Sequence, residues 1–143
     1  MKKTALNNVL KLVNEYSEKY RGKNLEKLSI SNTYDLFPKT KESYGWFNEW
    51  PNNGKYGVYL IMDKDKNVIY IGESSNIGNR LSDYFQYSED KSCKIIHKWS
   101  TTPKYVCTIA VDSKTWFERL ALEEFLIFNV QPIDNIKSKY SNN

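Results

Sequence analysis

Between Tyr70 and Phe85 the chain reads YIGESSNIGNRLSDYF. An apolar run ends at Gly72, a polar turn follows, and Arg80 stands one turn into a helix-like stretch. Glycines followed by a cation raise the question of a phosphate cradle. A Walker loop needs GxxxxGK followed by Ser or Thr, so that backbone N–H groups and a lysine wrap a triphosphate. Here five residues separate Gly72 from Gly78, and Asn79-Arg80 follow. GxGxxG is absent as well, so a nucleotide-binding loop finds no support. Cys93 and Cys107 are the only cysteines and form no CxxC pair, and His97 is the only histidine. That leaves no basis for a zinc site of Cys and His, or for a disulfide framework. A His-dependent nuclease or a Ser-His-Asp hydrolase would rest on His97 alone, in KIIHKWS, with no flanking motif.

The elements that would position such residues are legible in the hydrophobic pattern. Leu6, Val9, Leu10, Val13 and Tyr16 recur at helical spacing, which predicts an amphipathic helix from Thr4 to Tyr20. Leu25 to Phe37 reads as a second short helix or an irregular segment. The stretch TKESYGWFNEWPNNGK is rich in turn formers and aromatics, with a loop at Asn52-Asn53-Gly54. YGVYLIMD and NVIYIG then form a hairpin signal with its turn at Asp63 to Asn67. IGNRLSDYF reads as a helix capped by Ser75 or Asn76, and Ser92 to Trp99 as another short helix. KYVCTIAVD is β-branched and reads as a third strand. Thr115 to Asn129 is predicted as a helix apolar nearly all round, ended by Pro132.

Composition sets the outer bounds. A chain of 143 residues, 40% hydrophobic and 27% charged, suits one globular domain. Twenty-one basic against 17 acidic residues give a net charge of +4, which permits an anionic partner without demanding one. The opening MKKTALNNVLKLVNEY is basic, but Asn7, Asn8, Lys11, Asn14 and Glu15 interrupt any apolar signal core. No segment has the length of a membrane span. With the cysteine usage, these features lead to the expectation of a cytoplasmic protein.

Taken together, the pieces resemble a known family. Gly57-Val58-Tyr59 lies on one strand and Tyr70-Ile71-Gly72 on the next. Arg80 comes eight residues after Gly72, followed by Leu81, Tyr84 and Phe85, and ALEEFLIFNVQPIDN comes much later. From about Gly54 to Asn135 this order and spacing resembles the GIY-YIG nuclease family, in particular the nuclease domain of excision-repair incision proteins. The resemblance implies roles. Tyr59 and Tyr70 would line the site, one of them orienting or deprotonating the attacking water. Arg80 would steady the pentacovalent phosphate. Counting back from Leu126-Ile127 and Pro132 selects Glu123 over Glu124 as holder of a single divalent metal, Mg²⁺ or Mn²⁺. Gly72, Glu73, Asn76, Tyr84 and Asn135 would contact substrate, with Asn135 at the place of the family's terminal asparagine.

Chemistry is consistent with these implied roles. Phosphodiester hydrolysis needs an activated water, a cation on the non-bridging oxygens and help for the leaving oxygen. Arginine offers a permanent charge and a fork of donors suited to phosphate. A hard Mg²⁺ accepts one carboxylate completed by water. A tyrosine, with an ordinary pKa near 10, serves as a base only if a neighbouring cation lowers that value. Each residue alone has a plainer reading. Tyr59 and Tyr70 suit a half-buried sheet, Gly57 and Gly72 suit strand ends, Arg80 suits a solvated helix face, and Glu123 an i,i+4 pair with Arg119. Trp46 and Trp50 suit packing over one face of the sheet.

The expectation is therefore a small α/β protein, a three-stranded, mainly antiparallel sheet flanked by helices. Residues 1–53 would be an N-terminal helical extension packing on the core, 54–136 the nuclease domain and 137–143 a flexible tail. The expected activity is metal-dependent endonucleolytic cleavage of DNA, leaving a 5′-phosphate and a 3′-hydroxyl. The competing expectation is a catalytically weak or inactive module on the same fold that binds nucleic acid or protein. Glu73 favours it, because a carboxylate beside the scissile phosphate would repel it or add a metal ligand. The N-terminal helix is the expected surface for a protein partner or self-association.

Overall fold

In the computed structural model, which describes residues 3–38, 49–88 and 92–135, one strand has cover on both faces. Every residue of β3 (Gly57–Met62) is buried. It forms an antiparallel hairpin with β4 (Val68–Ser74), and on its other side pairs with β7 (Tyr105–Ala110). Two short strands, β1 (Ser29–Ile30) and β2 (Tyr34–Asp35), pair in succession along the far side of β7. The result is a five-stranded antiparallel sheet in which β4 is an edge strand. A separate hairpin joins β5 (Phe85–Tyr87) to β6 (Cys93–Ile95).

The α/β class and the antiparallel pairing match the sequence reading, while two elements and the strand count need correction. Leu25 to Phe37 is not a helix: it supplies β1 and β2, which raise the sheet from three strands to five. These strands are only two residues each and offer no period of their own; their partner on β7 dictates them. Ser92 to Trp99 is likewise not a helix, since Cys93–Ile95 pairs with β5. Trp46 and the 137–143 tail lie outside the described residues.

The β3–β4 turn shows how local chemistry sets register. Asp63 is buried, and its Oδ1 accepts from the backbone N–H groups of Asp65 and Asn67 at 2.9 Å each. Lys66 takes a left-handed φ of 61° to close the loop. The resulting register sets Tyr59 opposite Gly72 and Val58 opposite Glu73. Opposed residues share a face, and neighbours alternate.

Each face of the sheet has its own core. Val58, Leu60, Met62, Val68 and Ile71 meet α1 (Leu6–Tyr20) and α3 (Glu118–Val130). The α1 contribution is Leu6, Val9, Val13 and Tyr16, the helical stripe read from the sequence. Tyr59, Ile61 and Ile69 meet Ile77 and Leu81 of α2 (Ile77–Tyr84), with Leu36, Phe85 and Trp50 around them. Trp50 packs on Phe85 and Tyr87 and donates Nε1–H to Ser82 at 3.0 Å. After α3, Gln131 takes a left-handed φ of 50° ahead of Pro132, and the chain returns along β4. Leu120 and Phe128 of α3 face solvent, so this helix is less uniformly buried than its composition implies.

Candidate active site

Three tyrosines converge on the α2 side of the sheet. Tyr59 of β3 and Tyr84 at the end of α2 share a hydrogen bond between hydroxyls at 3.2 Å. Tyr70 of β4 completes the triangle, its ring 6.2 Å from Tyr59 and 6.0 Å from Tyr84. Gly72 makes this possible. A Cβ there would collide with the Tyr59 ring and hydroxyl, so the strand opposite Tyr59 must carry glycine. The role of Gly72 is thus to seat Tyr59.

The helix α2 delivers Arg80 to the same cluster. Asn76, not Ser75, is its N-cap: the side chain accepts from the backbone N–H of Asn79 at 3.2 Å. Arg80 is half-exposed, with Asp83 3.9 Å away on the same helix. Partial burial works against its charge, but the Tyr59 phenol and a hydrogen bond with Tyr84 outweigh it and hold the guanidinium pKa above its ordinary value.

The phenols are held neutral. Burial is the main cause that pushes Tyr59 well above the usual phenol range, followed by its hydrogen bond with Tyr84; Arg80 pulls the other way. Tyr70 is raised too, by burial first, then by Tyr84 and by the negative charge of Glu123. The last effect places the Glu123 carboxylate within electrostatic reach of Tyr70. Tyr59 is 1% exposed, whereas Tyr70 is only partly buried, so Tyr70 is the more accessible of the two.

Helix α3 reaches the site around the free edge of β4. Arg119 Nε donates to Glu73 Oε2 at 2.6 Å, and Glu123 lies one helical turn further on, toward Tyr70. Past the helix, Asn135 pairs with the open β4 backbone in both directions. Its Oδ1 accepts from Ile71 N–H at 2.9 Å, and its Nδ2 donates to Ile71 C=O at 2.8 Å. Asp134 N–H donates to Ile69 C=O at 2.9 Å. An edge strand carries unpaired donors and acceptors; here the returning chain satisfies those next to Tyr70.

Of the residues singled out in the sequence, Tyr59, Tyr70, Tyr84, Arg80 and Glu123 come together. Three do not present themselves to a substrate. Asn76 caps α2, and the buried Asn135 amide is engaged with Ile71 at both ends. Glu73 shares its face with Val58, on the α1 and α3 side, and is paired with Arg119. Its register turns it away from the phenols, and the Arg119 guanidinium offsets its charge. Two neighbours escape the sequence reading. Trp99 sets its ring edge-on to Tyr70 and Tyr84 at 5.7 and 5.6 Å, and His97 lies 5.7 Å from Tyr84. The sequence offers His97 only as a lone histidine and Trp99 only as the end of a short helix, and no local signal sets either beside Tyr84.

Comparison with known proteins places most of the chain in a family. The family described as the UvrC-like GIY-YIG domain matches residues 55–136. The UvrABC system protein C of Lachnospira eligens is 40% identical over 85 residues, covering 59% of this chain and 13% of that protein. The proteins of the same name from Treponema denticola and Methanothermobacter thermautotrophicus are 36% and 32% identical over 83 residues. These cover 58% of this chain in both cases, and 12% and 14% of the relatives. The chain thus spans about an eighth of the length of these relatives. No solved structure matches. No helix among the described residues is long and apolar enough to cross a membrane.

Proposed function

The chain belongs to the UvrC-like GIY-YIG domain family, and from that premise we propose that it is a metal-dependent DNA endonuclease. The observation that carries this reading is the single electrostatic cluster of Tyr59, Tyr70, Tyr84, Arg80 and Glu123. In it a cation suited to phosphate and an accessible phenol stand on one side, and a carboxylate stands at the edge of the same strand.

Each residue has a task in hydrolysis. Arg80 binds the non-bridging oxygens of the phosphate, and its attraction to them strengthens as negative charge accumulates there. Tyr70, the accessible phenol, orients the attacking water through its hydroxyl, and would take up the proton only as a phenolate, its pKa lowered by a bound cation. Tyr59, buried over Gly72, holds the Tyr84 hydroxyl through their shared hydrogen bond, and Tyr84 lies one turn beyond Arg80 on the same helix. Glu123 is the metal ligand of this proposal. Among the described residues no three His, Cys, Asp or Glu side chains gather into a cage. An ion that keeps most of its waters and uses one carboxylate with substrate phosphate, as Mg²⁺ or Mn²⁺ does, fits such a donor set. When bound, it would supply a Lewis acid for the phosphate and the leaving oxygen, and offset the Glu123 charge that raises Tyr70.

Purified protein with Mg²⁺ or Mn²⁺ is expected to nick or linearise plasmid DNA. Arg80→Ala and Glu123→Gln are each expected to abolish cleavage while the fold persists. Cleavage unchanged in both variants would refute the assignment of these residues.

A further inference from the structure

His97 occupies a position that neither the family match nor the proposed chemistry uses. The segment bearing it is clamped to the end of α2 at two points. Ile96 N–H donates to Tyr84 C=O at 2.8 Å. Trp99 packs on Tyr84 and stacks on Phe85 at 6.2 Å with 17° between planes, and its Nε1–H closes the turn on Ile96 C=O at 2.9 Å. Between these anchors His97 has a left-handed φ of 70°. A residue with a Cβ pays about 1–2 kcal/mol for that conformation. The side chain is exposed, with its ring edge-on to Tyr84 at 5.7 Å. Residues 92–99, SCKIIHKW, add Lys94 and Lys98 and contain no acid. Both lysines are exposed.

The geometry points to His97 as a DNA-binding residue that holds a backbone phosphate flanking the one bound by Arg80. The inference rests on the nuclease reading and extends its binding surface past Tyr84 onto the β6 segment. The exposed Lys94 and Lys98 flank it in its own segment, and Arg80 and Asp83 stand on α2, the helix that ends at Tyr84. The imidazole adds a hydrogen-bond donor to this flank beside the two exposed lysines.

The test is binding of a short fluorescent DNA duplex by anisotropy in magnesium-free buffer, across a salt series. His97→Asn is the informative variant, because asparagine tolerates the left-handed conformation and removes only the imidazole. It is expected to weaken binding about fivefold, and to lower the slope of log affinity against log salt by about 0.9, the value for one lost phosphate contact. His97→Lys is expected to restore both quantities. Thermal melting checks that each variant is folded. Wild-type binding and slope retained in His97→Asn would overturn this inference alone. A wild-type protein that binds no duplex, and cleaves none with Mg²⁺, would overturn the nuclease reading with it.

Discussion

Replacing Arg21 tests how the segment before the matched domain is joined to it. Arg21 follows α1 and makes a two-pronged pair with Glu118, the first residue of α3, with Nε–Oε2 at 2.6 Å and Nη2–Oε1 at 3.0 Å. Its Nη2 also donates to the Glu26 carbonyl at 2.7 Å, and Tyr16 donates to Glu118 Oε2 at 3.1 Å. The two charged side chains are only 6% and 8% exposed. Exposed pairs contribute less than about 1 kcal/mol, but removing one partner of a buried pair strands the other charge and costs about 3–5 kcal/mol. Arg21→Met keeps most of the buried volume, and is expected to lose that amount in urea unfolding followed by tryptophan fluorescence. Total stabilities of about 5–15 kcal/mol make this a large fraction. Replacing the whole pair, Arg21→Met with Glu118→Leu, is expected to recover most of the loss, since no buried charge remains. A loss under about 1 kcal/mol in Arg21→Met would refute the reasoning: Glu118 would then be solvated, and α1 would dock on α3 through apolar contact alone.

Two further outcomes follow from packing and charge. Tyr16 is pushed up to about 12 by burial and then by the Glu118 charge. A phenol pKa raised on folding favours the native state fully below pH 10 and loses that contribution as pH climbs from 10 through 12, by about 2–3 kcal/mol. Tyr16→Phe should therefore show a shallower fall in stability across that window, and an unchanged slope would contradict the assignment. Gly72→Ala would drive a methyl group into the Tyr59 ring, lowering stability by about 1–3 kcal/mol and displacing Tyr59 from Tyr84. Adding Tyr59→Leu should restore the melting temperature but not cleavage; a melting temperature unmoved by Gly72→Ala would count against the packing.

Much of the site was legible because its parts obey local rules. The hairpin that presents Tyr59 and Tyr70 follows from two apolar runs and an Asp-rich turn, and α2 follows from a cap and a helical stripe. The α1 stripe was equally plain. Glu123 was chosen over Glu124 by its spacing to Pro132, a count that helix position alone did not supply. The structure sets its charge near Tyr70.

Other features had no local signature. β1 and β2 exist because β7 offers an unpaired side, and nothing within two residues announces that. The β5–β6 hairpin similarly replaced a helix read from Ser92 to Trp99. Glu73 is the sharpest case. Next to Gly72 in the chain, it reads as an intruder beside the phosphate. A strand turns adjacent side chains to opposite faces, so Glu73 points to α3 and meets Arg119, 46 positions away. Asn135 was noticed in the sequence, yet only the return of the chain along an open strand edge engages its amide with Ile71.

What the sequence determined by itself was the set of chemical groups, the two strands and helix that carry most of them, and their order. Those follow from periodicity and turn chemistry, which act over a few residues. Tertiary structure alone decided which of them share a face, which charges are already paired, and that His97 and Trp99 border Tyr84. Those outcomes depend on register and on contacts between distant segments, where hydrogen-bond pairing and burial choose the partners.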